Sequence, residues 1–142
     1  MKNTVTIAID AMGGENAPYK TINGLNIFLN KNKKINDIHF NLYGNQDLIF
    51  EELSKYNINK SLYSIHDTKS IVSDEETPLR AIKNSKNSSM WNSVNSQLSD
   101  GSDISLSAGN TGVLLVISKM ILKTIEGLGK PALAGLWPNK KG

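Results

Sequence analysis

The stretch SLSAGNTGVLLVIS, residues 105–118, joins the end of an apolar strand to the start of an apolar helix through a Gly-Asn-Thr-Gly turn. Asn110 is a good residue to cap that helix, and the flanking glycines permit a tight turn. Small residues also leave backbone N–H groups uncovered at the positive end of the helix, which suits an oxyanion such as phosphate. The stretch lacks the lysine of a Walker loop and the glycine spacing of a dinucleotide-binding loop. A simple capped turn and an anion-binding turn both remain open.

Outward from this junction, apolar runs alternate with amphipathic stretches along the chain. Hydrophobic runs bounded by turn residues predict strands at 5–10, 38–43, 61–66, 103–107 and 131–137. Helical spacing predicts helices at 17–31, from about 48 to 56, from Pro78 with Thr77 as its cap, at 89–98, and from the turn to Ile125. This order of elements predicts a three-layer, Rossmann-like α/β fold with a mainly parallel sheet.

Two turn segments follow predicted strands and are expected to meet at one edge of the sheet. Residues 10–14 follow the first strand, and residues 107–112 follow the fourth. Ligands of parallel sheets bind outside the carboxyl ends of the strands. Gly13 and Gly14 could form an anion-binding nest there, and Asp10 could orient a ligand. The alternatives are a simple turn and an aspartate bonded to backbone N–H groups.

The composition excludes several classes of function. The 142 residues contain no cysteine, which excludes disulfides and thiolate metal sites. Fifteen of the sixteen basic residues are lysines scattered along the chain, and the net charge is only +3, so no nucleic-acid-binding surface is predicted. The first residues lack the apolar core of a signal peptide, and the longest uncharged run, 104–118, is too short to span a bilayer. A cytoplasmic protein is expected.

The end of the chain predicts a fragment. The predicted strand at 131–137 has no helix after it. A parallel strand needs both of its faces buried, so further elements are expected to cover it. Residues 1–142 are therefore interpreted as the N-terminal part of a single α/β domain.

Three segments together resemble the phosphate acyltransferase family of bacterial phospholipid synthesis. They are AIDAMGGENAP at 8–18, SSM at 88–90, and SAGNTG at 107–112 followed by an apolar helix; GLGKPALAGLWP at 127–138 is also similar. The resemblance runs along the whole chain but covers only the N-terminal part of the family's length. The sequence departs from the family at Glu15, where aspartate is usual, and at Lys83, where arginine is usual. Lysine keeps the charge but lacks the planar fork of arginine, so a phosphate clamp at Lys83 would be looser.

The resemblance implies transfer of a fatty acyl group from acyl-carrier-protein to inorganic phosphate, which gives acyl-phosphate. It also implies a homodimer that needs no cofactor and works in the cytoplasm, with possible peripheral contact with the membrane acyltransferase that uses its product. The implied fold is similar to those of phosphotransacetylases and isopropylmalate dehydrogenases. The chain would then be the N-terminal part of an acyltransferase domain and inactive on its own.

Such a reaction needs hydrogen-bond donors more than acids, bases or metals. Phosphate is already an oxyanion, and a thiolate leaves readily because the pKa of its thiol is about 8.5. The protein must hold phosphate against the thioester and stabilise the oxyanion that develops. Asn110 is the candidate catalytic donor, with capping as its alternative role. The candidate phosphate and substrate ligands, each with a structural alternative, are Asp10, Gly13, Gly14, Lys83, Ser88, Ser89, Ser107, Gly109, Thr111 and Gly112. No metal site is predicted.

Two other functions remain as alternatives. The similar dehydrogenase fold allows a nicotinamide-dependent dehydrogenase, although the missing dinucleotide fingerprint argues against it. The 142 residues could also form a non-catalytic binding module.

Overall fold

A parallel four-stranded sheet forms the centre of the part of the chain described here. In this computed structural model the described residues are 4–33, 35, 37–73, 75–99 and 101–135. The strands are β1 (Val5–Asp10), β2 (Ile38–Gly44), β3 (Tyr63–Asp67) and β4 (Ile104–Ser107), arranged in the order β3-β2-β1-β4. All three pairs of neighbouring strands are parallel. The carboxyl ends of β1 and β4 therefore lie side by side.

Five helices connect and flank the strands in the described residues. They are α1 (Tyr19–Lys31), α2 (Gln46–Leu53), α3 (Pro78–Asn84), α4 (Ser89–Asn95) and α5 (Thr111–Leu122), with a short 3-10 helix at Lys60–Leu62. The predicted α/β fold with a parallel sheet is confirmed, and the helices on its two faces make it a three-layer arrangement.

One face of the sheet packs against α1 and α2 through an apolar core. Its buried members are Ile9, Ala11, Ile22, Leu25, Phe40, Leu42, Ile49 and Leu53. A second core joins α3, α4 and α5 on the other side, and its buried members are Ala81, Met90, Val94, Val113, Ile117 and Ile121.

The sheet face toward α4 carries small and polar side chains instead of large apolar ones. Because side chains alternate along a strand, Thr6, Ala8 and Asp10 of β1 share this face. The Ser105 hydroxyl donates to the Ser93 carbonyl at 2.7 Å. Small side chains allow α4 to lie close to the sheet, directly beneath the strand ends that form the candidate site.

Side-chain caps begin four of the helices. Asn45, Thr77, Ser88 and Asn110 each accept a hydrogen bond from the backbone N–H three residues later. These bonds satisfy donors that have no partner inside the helix. The predicted start at Thr77 and Pro78 is therefore confirmed, and Ser88 and Asn110 each cap the helix that follows them.

The strand predicted at 131–137 is wrong over the residues described. Residues 131–135 have no regular secondary structure, and residues 136–137 lie outside the described part of the chain. Leu133 is 66% exposed. An apolar run forms a strand only where a neighbouring strand supplies hydrogen-bond partners, and 131–135 take part in no strand pairing.

Several predicted bounds shift by a few residues. The helix predicted to reach Ile125 ends at Leu122, because Lys123 has a φ of +67° that a right-handed helix cannot contain. The helix predicted at 89–98 ends at Asn95, and the strand predicted at 61–66 becomes Tyr63–Asp67. Among the described residues, no helix combines the length and the apolar character needed to cross a bilayer.

The core on the α1 side predicts a specific loss of stability. Replacing Ile22, which is fully buried, with Ala should lower the free energy of unfolding by about 2–5 kcal/mol because a cavity remains. Ile27→Ala on the same helix is the control, because Ile27 is 46% exposed and its loss should change stability by about 0.5 kcal/mol or less. Urea denaturation of the two variants measures both values, and equal losses would contradict this assignment of the core.

Candidate functional site

The candidate site lies where β1 and β4 end beside each other. Asp10 and Ser107 are register partners at the last position of the two strands. The Ser107 hydroxyl donates to Asp10 Oδ2 at 2.7 Å, and the Gly109 N–H donates to the Ser107 oxygen at 3.1 Å. A continuous chain of hydrogen bonds thus runs from the end of β1 into the turn after β4.

Asp10 is buried beneath this edge with an exposed fraction of only 2%. Its Oδ1 accepts from the Met12 N–H at 3.3 Å, and Ser89 at the start of α4 also interacts with its carboxyl group. Burial raises the pKa of Asp10, and the hydrogen bonds from Ser89, Ser107 and the backbone partly oppose that rise. The carboxylate therefore faces donors from β1, α4 and β4 together.

The turns after β1 and β4 contact each other through glycine backbone. A Cβ atom at Gly13 would lie 2.6 Å from Asp10 Oδ2 and 2.9 Å from the Gly109 nitrogen. A Cβ atom at Gly109 would lie 2.9 Å from Met90 Cε and 3.4 Å from the Gly13 Cα. Only glycine fits at Gly13, since a side chain would separate the two turns.

A cavity of about 250 Å³ opens beside this contact. It is lined by Gly13, Gly14, Glu15, Lys20, Thr21 and Ala108. Gly14 has a φ of +85°, a conformation that glycine adopts without strain. The Lys20 ammonium lies 3.3 Å from Glu15, and both side chains are exposed. The cavity therefore joins a glycine turn to a solvent-accessible cation.

Asn110 uses both ends of its carboxamide. Its oxygen accepts from the Val113 N–H at 3.1 Å, and its nitrogen donates to the Glu76 carbonyl at 3.0 Å. Thr111, the first residue of α5, is exposed, and Gly112 is half-buried. The first N–H groups of a helix have no partner within it, so the start of α5 presents donors toward the same edge as the glycine contact.

The structure separates the two serines before α4. The Ser88 oxygen accepts from the Trp91 N–H at 3.1 Å and is fully buried, whereas Ser89 bonds Asp10. Lys83 lies exposed in the last turn of α3. The first residue of α3 lies close to α5, since a Cβ atom at Gly112 would be 3.4 Å from Pro78 Cγ. The structure thus gathers Asp10, Gly13, Ser89, Ser107 and Gly109 in direct contact, with Ser88 and Lys83 outside that contact.

A slightly larger cavity adjoins the one beside the glycine contact and shares Thr21 with it. It has a volume of about 300 Å³ between α1 and the sheet, and its lining is apolar except for Thr21. Phosphate chemistry needs hydrogen-bond donors, so we place the candidate site at the strand ends instead.

Comparison with known proteins identifies the family of the chain. A family model described as "Fatty acid synthesis protein" matches residues 5–142, which include every residue of the candidate site. The chain belongs to this family.

Curated relatives of the fatty acid synthesis protein family are longer than this chain. A phosphate acyltransferase of Pelagibacter ubique is 43% identical over 141 residues, which are 99% of the chain and 41% of the relative. Phosphate acyltransferases of Methylocella silvestris and Ehrlichia ruminantium are each 35% identical, over 100% and 97% of the chain and 38% and 40% of their own lengths. The chain spans about two fifths of the length of these relatives.

Three residues that line the cavity were not singled out by the sequence analysis. They are Lys20, Thr21 and Ala108. Lys20 could have been found from the sequence, because it lies in the first turn of the helix that follows the Gly-Gly turn. Ala108 is the residue between Ser107 and Gly109, and it carries no chemical signal of its own.

The glycine contact predicts an effect of a single methyl group. Gly13→Ala should separate the two turns, lower the free energy of unfolding by about 1–3 kcal/mol and weaken phosphate binding, because the new Cβ has no room. Gly24→Ala in α1 is the matched control, since its Cβ would meet nothing within 4 Å and alanine favours a helix. Thermal unfolding and phosphate titration of both variants measure the contrast. A Gly13→Ala protein as stable as Gly24→Ala would contradict the close contact.

Proposed function

We propose that the chain is the N-terminal part of the acyltransferase domain of a phosphate acyltransferase. The enzyme would move a fatty acyl group from acyl-carrier-protein to inorganic phosphate and produce acyl-phosphate for phospholipid synthesis. The observation that carries the proposal is the convergence of the Gly13–Gly109 contact, the start of α5 and the cavity beside Lys20 at one sheet edge. The relatives are phosphate acyltransferases, which supports phosphate and an acyl group as reactants.

The chemistry of this transfer fits a site made of donors. A phosphate oxygen attacks the thioester carbon, a tetrahedral oxyanion forms, and the C–S bond breaks as the carrier's thiolate leaves. Backbone N–H groups at a helix start are suited to hold phosphate, and we assign this role to the turn from Gly109 to Gly112 with Thr111. Gly13 and Gly14 complete the cradle opposite. Lys20, which lines the cavity, would supply positive charge. Lys83 lies outside the direct contact and would have to approach from α3, without the bidentate geometry of arginine.

Asn110 is our candidate for the oxyanion donor. Its carboxamide nitrogen donates to the Glu76 carbonyl at the entrance of α5, and this nitrogen is the group that would face the oxyanion. The cap on Val113 holds the side chain at the entrance of α5. A donor held in advance at the position where charge develops lowers the activation free energy by about 3–4 kcal/mol.

The partners in this proposal follow from the resemblance of the motifs. They are acyl-carrier-protein, inorganic phosphate, a second copy of the protein in a homodimer, and a membrane acyltransferase that is contacted peripherally from the cytoplasm.

The set of residues assigned to this site is completed by Ser88, Ser89, Ser107 and Asp10. The proposed transfer needs no metal and no redox cofactor. Because the relatives are longer, we expect the 142 residues alone to bind phosphate without turnover.

Phosphate binding provides the direct test of the turn. Gly109→Val should raise the phosphate dissociation constant by about tenfold or more, because its side chain would push on Met90 and displace the Gly109 N–H from the anion. Gly129→Val is the matched control, since nothing lies within 4 Å of that position. Calorimetric titration of the 142-residue chain with phosphate compares the variants. Equal affinity in Gly109→Val and the unchanged chain would place the anion elsewhere.

Asn110→Ser separates the chemistry from the cap. Serine still caps α5 but shortens the reach of the donor, so turnover per folded molecule should fall about a hundred- to a thousand-fold. The assay measures acyl-phosphate formation by a chimera in which this chain replaces the matched part of the Pelagibacter ubique relative. Asn45→Ser, which makes the same change at the cap of α2, should leave turnover intact. Near-normal turnover of Asn110→Ser would reduce Asn110 to a helix cap.

A further inference from the structure

We propose that Asp10 is a positioning residue, which acts through Ser107 to set the distance between the two glycine turns and does not itself bind phosphate. This inference rests on the proposed function, since phosphate is the ligand that the turns would hold. It changes the role expected for Asp10 from a substrate ligand to the support beneath the site.

Burial keeps Asp10 away from any ligand. Its side chain is 2% exposed, and Gly13 covers it so closely that a Cβ atom there would lie 2.6 Å from Oδ2. A phosphate in the cavity beside Gly13 would therefore meet the backbone of the turn and not the carboxylate. A direct contact would also be repulsive, because both groups are negatively charged.

The direction of the hydrogen bonds assigns the supporting role. An ionised carboxylate only accepts hydrogen bonds, so the Ser107 hydroxyl must donate its single proton to Asp10. The lone pairs of Ser107 then face the Gly109 N–H, which donates at 3.1 Å. The other oxygen of Asp10 accepts from the Met12 N–H, which anchors the turn that carries Gly13. One carboxylate thus holds the backbone on both sides of the glycine contact.

Charged groups around Asp10 are sparse in the described residues. Neither α4 nor β4 contains a charged or titratable side chain, and the neighbouring position on β2 is Tyr43, whose ring stacks on His66. The loop after β1 carries Glu15, which pairs with Lys20 at the surface. Because no cation among the described residues is a cause of the Asp10 pKa shift, its ionised form depends on the hydrogen bonds from Ser89, Ser107 and the backbone. Loss of the Ser107 hydroxyl should therefore destabilise the ionised carboxylate of Asp10, and loss of the carboxylate should remove the acceptor of the Ser107 hydroxyl.

The role through Ser107 predicts a non-additive pair of variants. Asp10→Asn and Ser107→Ala should each raise the phosphate dissociation constant about tenfold, the factor that corresponds to one lost hydrogen bond to a charged group. If Asp10 acts through Ser107, the double variant should also lose about tenfold, because the second change removes an interaction that is already broken. A hundredfold loss in the double variant would show independent roles and overturn the proposal.

A matched control comes from the opposite end of the same two strands. Asp103 Oδ2 accepts from the Thr6 N–H at 2.8 Å, and so also joins β4 to β1. Asp103→Asn should lower the stability of the strand pair but leave phosphate affinity unchanged per folded molecule. Ser105→Ala, on the same strand and face as Ser107, should likewise leave affinity unchanged. Tenfold losses in these controls would show a general effect of loosening the sheet, which would also overturn the proposal.

The pH dependence adds a signature that a merely structural residue would not give. Only the ionised carboxylate leaves both oxygens as acceptors, so phosphate affinity should fall as the pH drops through the pKa of Asp10, which burial raises above the usual range of an aspartate. The ratio of unchanged-chain to Asp10→Asn affinity, measured at each pH, cancels the titration of phosphate itself. The ratio should fall toward one in acid, and a constant ratio would contradict the proposal.

The outcomes distinguish this inference from the proposed function. If the unchanged chain binds no phosphate and the chimera makes no acyl-phosphate, the proposed function fails, and Asp10 has no ligand to position. If the unchanged chain binds phosphate and the chimera makes acyl-phosphate, but the losses of affinity in Asp10→Asn and Ser107→Ala multiply in the double variant, the inference alone fails. Should Asp10→Asn not fold, Ser107→Ala against Ser105→Ala decides, since equal phosphate affinity in the two would contradict the role of Ser107.

Discussion

The pairing of β1 with β4 is the contact on which the rest of the candidate site depends. It joins segments that are 97 residues apart in the chain. An aspartate forms a hydrogen bond at each end of the strand pair: Asp103 accepts from the Thr6 N–H, and Asp10 accepts from the Ser107 hydroxyl. Parallel strands in register bring their carboxyl ends to the same edge. Without this pairing the two glycine turns would not be held next to each other, and the start of α5 would not lie beside the turn that follows β1.

The α/β fold could be predicted from the sequence because its signals are local. Alternation of apolar strands and amphipathic helices requires a parallel sheet, and Thr77 with Pro78 marks a helix start within a few residues. The position of the site also follows, since the carboxyl ends of parallel strands share an edge. The strand predicted at 131–137 shows the limit of local signals, because an apolar run becomes a strand only beside another strand.

The hydrogen bonds within the site could not be predicted, because they depend on distances that only the packed structure sets. Ser88 and Ser89 are chemically identical neighbours, yet one caps α4 and the other reaches Asp10. The partner of Asn110 is the carbonyl of Glu76, 34 residues earlier in the chain. Sequence motifs indicate which residues lie near each other, whereas the hydrogen-bond partner of each residue depends on the folded structure.

The long separation between β1 and β4 also has a consequence for the order of folding. Contacts between distant segments form slowly, because the chain between them must first be confined. The pairs β1–β2 and β2–β3 close shorter loops and can form before β4 has been synthesised. We therefore expect a nascent chain to acquire the α1 and α2 core first, and the glycine turns to come together only after Ser107 and the start of α5 have left the ribosome. The contact between the two glycine turns is in this sense a late product of folding, present only in molecules in which β4 has already paired with β1.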